Sequence, residues 1–379
     1  MSGRSRLDAF VVAAPGLEAL LLDELTRLDV RPARAVKGGV ECSVTWPQLW
    51  AVHLRSRLAT RVLVRVWRFR ATTWGELEAG LKRVQWGEWL ADDAVLDVQA
   101  TCSKSSALYH SDAVAERAAA VIGRPAGDQV VQVRVLDDVV TVSLDATGPA
   151  LFKRGWRGPA GRAPMRETLA AALVLASGWD RRSPLVDPFC GSGTVAIEAA
   201  MIARRMAPGR RRSFAFQQWP TFSADAWGRL LRGADGDVID RCPPILASDR
   251  DDGAVAAAQE NAAAAGVGEQ VDVQRRSISD LTLPARAGWL VTNPPYGRRV
   301  GGEGGGAGAG AGAGGGDVRD LYDRFGQVLR ASGAGWRIAV LAAKETPVAR
   351  LGLPLTSALH TSNGGIPVDV WRGPVAPPA

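Results

Sequence analysis

Asp187-Pro188-Phe189-Cys190-Gly191-Ser192-Gly193-Thr194 is the stretch on which the fold turns. It follows the apolar pair Leu185-Val186 and precedes the mostly apolar run 195–203. The pattern predicts a strand end, a glycine turn and a helix that starts at Thr194. Gly191 and Gly193 carry no Cβ, so the backbone there can turn tightly and approach a ligand. The first N–H groups of the helix have no partner within it and suit an anionic group. Asp187 is expected at the carboxyl end of the first strand of a parallel sheet, the edge where doubly wound folds bind ligands.

Further short apolar runs follow at 245–247, 271–273, 289–291 and 338–341, with helical patterns between them. Runs of this kind suit parallel strands covered on both faces. Residues 165–379 are therefore expected to form an α/β, Rossmann-like domain. Residues 301–316 are Gly/Ala with Glu303 alone, a composition that cannot pack a core, and are expected to be a flexible insertion, either a lid or a surface expansion without a role. Upstream, strand and helix patterns mix without regular alternation: a strand at 8–14, a helix from Leu17, a Gly38-Gly39 turn, an alternating strand at 61–69, a helix at 111–122 and a hairpin about Asp137-Asp138. Such a mixture over 1–150 predicts an α+β region. Glycines and prolines at 151–164 mark a linker.

The glycine pattern does not identify its ligand, because Gly191-x-Gly193-x-x-Ala196 also satisfies a nicotinamide fingerprint. Two features favour S-adenosylmethionine. The Asp-Pro-Phe-Cys lead-in is unlike a dinucleotide site. The next strand ends at Asp249, 56 residues after Gly193, where a dinucleotide fold places its acid ~20 residues on. A carboxylate at that strand end can accept hydrogen bonds from both ribose hydroxyls. Asp251 and Asp252 read as solvated acids at a helix start. About a hundred residues after the glycine turn, Asn293-Pro294-Pro295-Tyr296 closes another apolar run. The Asn293 side-chain carbonyl can accept one hydrogen of an exocyclic amine and the Pro294 backbone carbonyl the other, which aims the nitrogen lone pair at a methyl group. The prolines stiffen the loop, and Tyr296 can stack on a base.

Composition narrows the setting. The 379 residues allow two or three domains, and 46% hydrophobic with 22% charged residues is ordinary for a globular chain. No apolar run approaches the ~18 residues of a membrane span. Charges soon interrupt the apolar N-terminal run, so no export signal is expected. Four scattered cysteines and three scattered histidines predict no metal site and fit a reducing cytoplasm. The net charge of +7 is unevenly spread. Residues 1–150 hold 18 basic and 18 acidic residues, whereas 153–212 hold 12 and 4. That cluster is expected to meet a polyanion. Coding bias, with 41 arginines to 5 lysines, accounts for arginine over lysine but not for the clustering.

Arg154-Gly155-Trp156-Arg157, the run 163–172 with Arg166-Glu167-Thr168-Leu169, the glycine stretch and Asn293–Tyr296 together resemble the THUMP-domain RNA methyltransferases. The likeness is nearest to the bacterial enzymes that form N2-methylguanosine in large-subunit ribosomal RNA. It extends over nearly the whole chain, to Gly16-Leu17-Glu18 and Gly38-Gly39-Val40. The resemblance implies a ferredoxin-like part at 1–60, a THUMP RNA-binding domain at 61–150 and a class I methyltransferase domain at 165–379. It implies that Asp187, Pro188, Phe189, Cys190, Gly191, Ser192, Gly193, Thr194 and Asp249 hold S-adenosylmethionine, with Glu167 and Thr168 over its methionine end. The adenine amine would meet Ser277 or Asp280, where the family often has an Asp. Asn293, Pro294, Pro295 and Tyr296 would be catalytic. The implied partner is RNA, ribosomal or transfer. Alternatives are a transfer-RNA guanine-N2 methyltransferase, a DNA amino-methyltransferase, a protein glutamine methyltransferase and a non-catalytic RNA-binding scaffold.

Overall fold

The computed structural model describes residues 6–123, 127–158, 165–296 and 318–375. The Gly/Ala segment 301–316 and the end of the 151–164 linker lie outside them. The chain forms two compact units. Unit 1 comprises Met1–Arg154 with Ala207–Asp237, and unit 2 comprises Gly155–Met206 with Val238–Ala379. The changeover at Arg154/Gly155 falls inside the expected linker. The placement of 207–237 differs from the expectation of one domain over 165–379.

Unit 1 is built on seven strands: β1 (Leu7–Val12), β2 (Ala33–Val36), β3 (Gly39–Val44), β4 (Arg61–Arg70), β5 (Leu96–Cys102), β6 (Gln129–Leu136) and β7 (Val139–Asp145). They form one sheet in the order β2-β3-β1-β4-β7-β6-β5, antiparallel except for β5 beside β6. The two N-terminal parts expected from the resemblance thus share a sheet, joined where β1 pairs with β4. Helices α1 (Glu18–Arg27), α2 (Trp46–Arg55), α3 (Trp74–Lys82) and α4 (Ser111–Ile122) complete the sequence-ordered part. Capping boxes start two of them: Thr45 accepts from the N–H of Gln48, and Thr73 from that of Glu76.

Alternation in β6 and β7 gives the sheet a buried face. Val131, Val133, Val135, Val140, Val142 and Leu144 are at most 1% exposed, whereas Gln132, Arg134 and Thr141 point to the other side and are half-buried or exposed. Segment 207–237 carries α7 (Ala224–Gly236) and packs into unit 1 through aromatic rings. Phe216 stacks on Trp50, Phe214 and Phe216 meet His53 edge-on, and Trp227 packs against both phenylalanines. Burial pushes the His53 imidazole down to about 3, so it is a neutral core residue.

Unit 2 holds β8 (Leu185–Asp187), β9 (Ile245–Asp249), β10 (Val271–Arg275), β11 (Trp289–Thr292), β12 (Arg337–Ala343), β13 (Thr356–Asn363) and β14 (Ile366–Pro374). Their order is β10-β9-β8-β11-β12-β14-β13. The first five are parallel, and β14 is antiparallel to both β12 and β13. Helices α5 (Glu167–Ala176), α6 (Thr194–Ala203), α8 (Asp252–Ala265) and α9 (Val318–Ser332) accompany the strands. Apolar cores lie on both sides of this sheet: α5, α6 and α8 contribute to one, α9 to the other. The strand order reverses between β8 and β11, and the crevice beyond their carboxyl ends is where such a sheet binds ligands.

Candidate active site

The two sequence motifs leave the carboxyl ends of neighbouring strands. β8 pairs in parallel with β11, Val186 opposite Leu290. One bond ties the two ends together: the Thr292 hydroxyl donates to Asp187 Oδ1 at 2.6 Å, and both residues are buried. Phe189 N–H also donates to Asp187 Oδ1, at 3.3 Å. Burial raises the Asp187 carboxyl to about 7, opposed by these two hydrogen bonds and reinforced by nearby Asp249.

The glycine turn is shaped from both sides. Gly191 has φ +50° and open space where a side chain would be. Gly193 has φ +83°, and a Cβ there would lie 3.0 Å from that of Ala258 in α8. Asp249 Oδ2 accepts from Gly191 N–H at 3.0 Å, and Oδ1 accepts from Asp251 N–H at 3.1 Å. Asn261 of α8 reaches back to the turn, donating to the Ser192 carbonyl at 3.0 Å and accepting from Gly158 N–H at 3.3 Å. Arg157 completes the brace: its guanidinium donates to Glu167 Oε1, Ser192 Oγ, Thr194 Oγ1 and the Met165 carbonyl at 2.9–3.2 Å. Burial raises the Glu167 carboxyl, and Arg157 opposes that shift.

These groups border a cavity of about 510 Å³. Asp187, Phe189, Cys190, Gly191, Ser192 and Thr194 line it, and so does Asn293. The glycine turn and the acceptor asparagine therefore face one space. Arg157, Met165, Asp251, Glu260 and Asn261 also line it, although sequence reasoning assigned none of them to the site. Pro188, Gly193, Asp249, Glu167, Thr168, Pro294, Pro295 and Tyr296 stand outside the lining. Ser277 and Asp280 lie beyond β10 and do not line it either: the Ser277 hydroxyl donates to Asp280 Oδ2 at 2.6 Å. Asp251, expected as a solvated helix-start acid, caps α8 by accepting from Ala254 N–H and also borders the cavity.

Tyr296 takes a different posture from the stacking platform the sequence suggests. Its hydroxyl donates to Asn293 Oδ1 at 2.6 Å and accepts from Asn363 Nδ2 at 3.4 Å. Its ring is partly buried against the core of unit 2. Burial raises the phenol to about 12, so it remains a donor at neutral pH. The bond orients the Asn293 amide and leaves Oδ1 a second lone pair for an incoming N–H.

The cavity fits a nucleoside with an anionic tail. No side chain caps α6, so an anion can meet its first N–H groups beside Arg157. The open space at Gly191 admits a ligand close to the backbone. Among the described residues no cluster of His, Cys, Asp or Glu could hold a metal ion, and no helix is long and apolar enough to cross a membrane.

Residues 154–370 match the family described as RMKL-like, methyltransferase domain, and residues 8–63 match the RlmL ferredoxin-like domain. The chain is 32% identical to "Putative RNA methyltransferase slr0064" of Synechocystis, over 96% of this chain and 95% of that protein. It is 33% identical to Ribosomal RNA large subunit methyltransferase K/L of Methylococcus capsulatus, over 98% of this chain but 51% of that protein. The chain thus spans about half the length of the K/L relatives. Among solved structures, "SMU.472, a putative methyltransferase complexed with SAH" superposes with a TM-score of 0.86 at 28% identity, covering 99% of both chains. The chain belongs to the RMKL-like methyltransferase family.

Proposed function

We propose that this protein transfers the methyl group of S-adenosylmethionine to the exocyclic N2 of a guanosine in large-subunit ribosomal RNA. The observation that carries the reading is that Asn293 and the glycine turn line one cavity at the switch point of the sheet. RNA as substrate rests on the names of the relatives, of which those of K/L type act on ribosomal RNA of the large subunit. Residues 61–150 would serve as the THUMP RNA-binding domain beside the ferredoxin-like part. An RNA substrate and four unpaired cysteines suit the cytoplasm.

When bound, S-adenosylmethionine supplies a methyl group on a positively charged sulfur. The residues of this chain would position the acceptor. Asn293 Oδ1 accepts one amine hydrogen and the Pro294 carbonyl the other, drawing the nitrogen toward a pyramidal shape with its lone pair aimed into the cavity. This interaction strengthens as the nitrogen gains positive charge, so it favours the transition state over the ground state. The N–C bond forms as the C–S bond breaks, and the extra proton leaves to water. Asp187 is not needed as a base, because it is fully buried and its Oδ1 is engaged by Thr292 and Phe189.

The test uses the purified chain, labelled S-adenosylmethionine and unmodified 23S ribosomal RNA, with the product nucleosides identified by mass spectrometry. N2-methylguanosine is the expected product. Asn293→Ala is expected to lower kcat by about a hundredfold or more, with affinity for S-adenosylhomocysteine unchanged. Turnover near that of the wild type would remove Asn293 from the acceptor site. N6-methyladenosine as the product would overturn the guanine reading.

A further inference from the structure

The basic stretch 153–212 was expected to meet a polyanion, but several of its arginines are engaged within the protein. Arg154 is 2% exposed and donates to the Leu151 and Arg57 carbonyls. Arg157 braces the glycine turn. Arg204 donates to the Ile239 and Gly266 carbonyls, Arg210 pairs with Asp235, and Arg212 donates to the carbonyls of Pro149, Ala150 and Lys153. Lys153, Arg182 and Arg205 remain exposed within that stretch, and a second set of exposed arginines lies on the face of the unit 1 sheet opposite its valine-lined core.

The strand registers set out that face. Arg68 of β4 stands opposite Thr141 of β7, Thr141 opposite Arg134 of β6, and Arg134 opposite Thr101 of β5. Arg68, Thr141 and Arg134 therefore form a row across three strands, with the two arginine backbones about 10 Å apart. Both arginines are exposed, and neither makes a hydrogen bond or ion pair among the described residues, although the charge of Arg68 is felt at Asp8. The acids nearby are largely answered: Arg65 pairs with Asp8 and Glu41, Arg34 also pairs with Glu41, and Arg70 pairs with Asp138. Asp97 lies at the far end of β5 and accepts from Gln99. A groove of about 410 Å³ runs along the row, lined by Arg65, Arg68, Arg134, Thr141 and Leu136, with the ion-paired acids Asp8 and Glu41 at its border. Leu136, two residues beyond Arg134 on the same face, is 42% exposed, so apolar and basic groups share this groove.

We propose that this open sheet face is a docking site for a single-stranded segment of the RNA, with phosphates on Arg68 and Arg134 and a base against Leu136. The proposal rests on the reading of RNA as substrate. Unpaired arginines complement phosphates, and the exposed Leu136 beside them offers a nucleobase an apolar surface that an acidic peptide would not use. A broad sheet face also suits splayed single strands better than the deep, narrow major groove of an RNA helix. The segment recruited here would be distinct from the methylated nucleotide at the unit 2 cavity.

The experiment measures fluorescence anisotropy of a labelled oligouridine with the full chain at several salt concentrations. Arg68→Ala/Arg134→Ala is expected to weaken binding about tenfold and to reduce the slope of log K against log salt by about 1.4, since each lost phosphate contact on a single strand removes about 0.7. Arg34→Ala/Arg70→Ala, which removes ion-paired arginines, is expected to change the slope by less than half as much. Melting temperature and affinity for S-adenosylhomocysteine should stay at wild-type values in both. Wild-type affinity and slope in Arg68→Ala/Arg134→Ala would overturn the proposal, as would competition by polyglutamate equal to that by RNA. If the wild type methylates ribosomal RNA and the first double variant binds and methylates it equally, only the docking face falls. If the wild type neither binds nor methylates RNA, the substrate reading falls with it.

Discussion

The two seven-stranded sheets hide their side chains differently. In β12 of unit 2, Ile338, Ala339, Val340, Leu341 and Ala342 are all at most 1% exposed, whichever way they point. In β6 of unit 1, buried Val131, Val133 and Val135 alternate with half-buried Gln132 and exposed Arg134. A parallel sheet is covered on both sides because its crossovers run over its faces, whereas an antiparallel sheet can leave one face to solvent. The covered sheet therefore has only its strand ends available for chemistry, and the glycine turn and Asn293 sit there. The half-open sheet has a face to offer, and its unpaired arginines stand on it.

Adjacent substitutions should break this contrast if it is wrong. Ala339→Asp and Val340→Asp point to opposite sides of the covered sheet, and each is expected to cost more than about 4 kcal/mol or to prevent folding, because each buries an unpaired charge. In β6 only one of two neighbours should respond so strongly: Val133→Asp should be equally damaging, whereas Gln132→Glu should stay within about 0.5 kcal/mol of the wild type. Urea midpoints read the difference. Wild-type stability in Ala339→Asp would mean that one face of the parallel sheet is open, and the argument confining chemistry to its ends would lose its basis.

The same contrast governs what could be read in the chain. Buried strands such as Leu185-Val186 and Ile338–Leu341 announce themselves as apolar runs, and the position of Asp187, Gly191 and Gly193 follows from the run before them. β13 escaped because its eight residues, Thr356–Asn363, are mostly polar and lie at the sheet edge, so neither a run nor an alternation marks them. Its Asn363, which contacts the Tyr296 hydroxyl, went unseen with it. Asn261 is a buried amide within an alanine-rich helix, and only the turn it touches gives it meaning. Arg157 stood in the run 154–157 that carries the resemblance, but nothing in the run shows that its guanidinium reaches Glu167, Ser192 and Thr194. The open face of unit 1 was hidden by a charge count of zero, because only strand register separates arginines that meet acids from those that do not.

Buried strand-end acids allow a second comparison. Asp145, at the end of β7, is 1% exposed and pairs with Arg61. Asp187, at the end of β8, is equally buried but has no cation partner among the described residues, and burial holds its carboxyl near 7 instead of 3.8. Between those values the folded chain keeps a proton that the unfolded chain has released. Stability should therefore fall as pH rises from about 4 to 7, by about 4 kcal/mol from this group, and level off above. Asp187→Asn keeps an acceptor for Thr292 and removes the titration. Urea unfolding of wild type and variant at pH 4.5 and 7.5 should show the decline in the wild type and a much smaller one in the variant. Equal declines would mean that Asp187 is ionised throughout and that its burial does not hold a proton.

Arginine itself supplies the finest comparison, since Arg157 donates to four groups while Arg68 makes no hydrogen bond or ion pair among the described residues. Arg157→Lys preserves charge near the cavity but cannot span Glu167, Ser192 and Thr194 at once, because an ammonium lacks the planar fork. The glycine turn would then rest on Asn261 and Asp249 alone. The expected result is about tenfold weaker binding of S-adenosylhomocysteine, or about 1.4 kcal/mol, by calorimetry. Arg157→Lys with Glu167→Gln separates two causes. If the loss comes from leaving the Glu167 carboxylate buried without its partner, the double variant should recover most of the affinity. If it comes from the slackened turn, the double variant should stay weak, as expected here because Ser192 and Thr194 still lack their donor. Wild-type affinity in Arg157→Lys would show that the turn holds its shape unaided, and Arg157 would be reduced to a partner for Glu167.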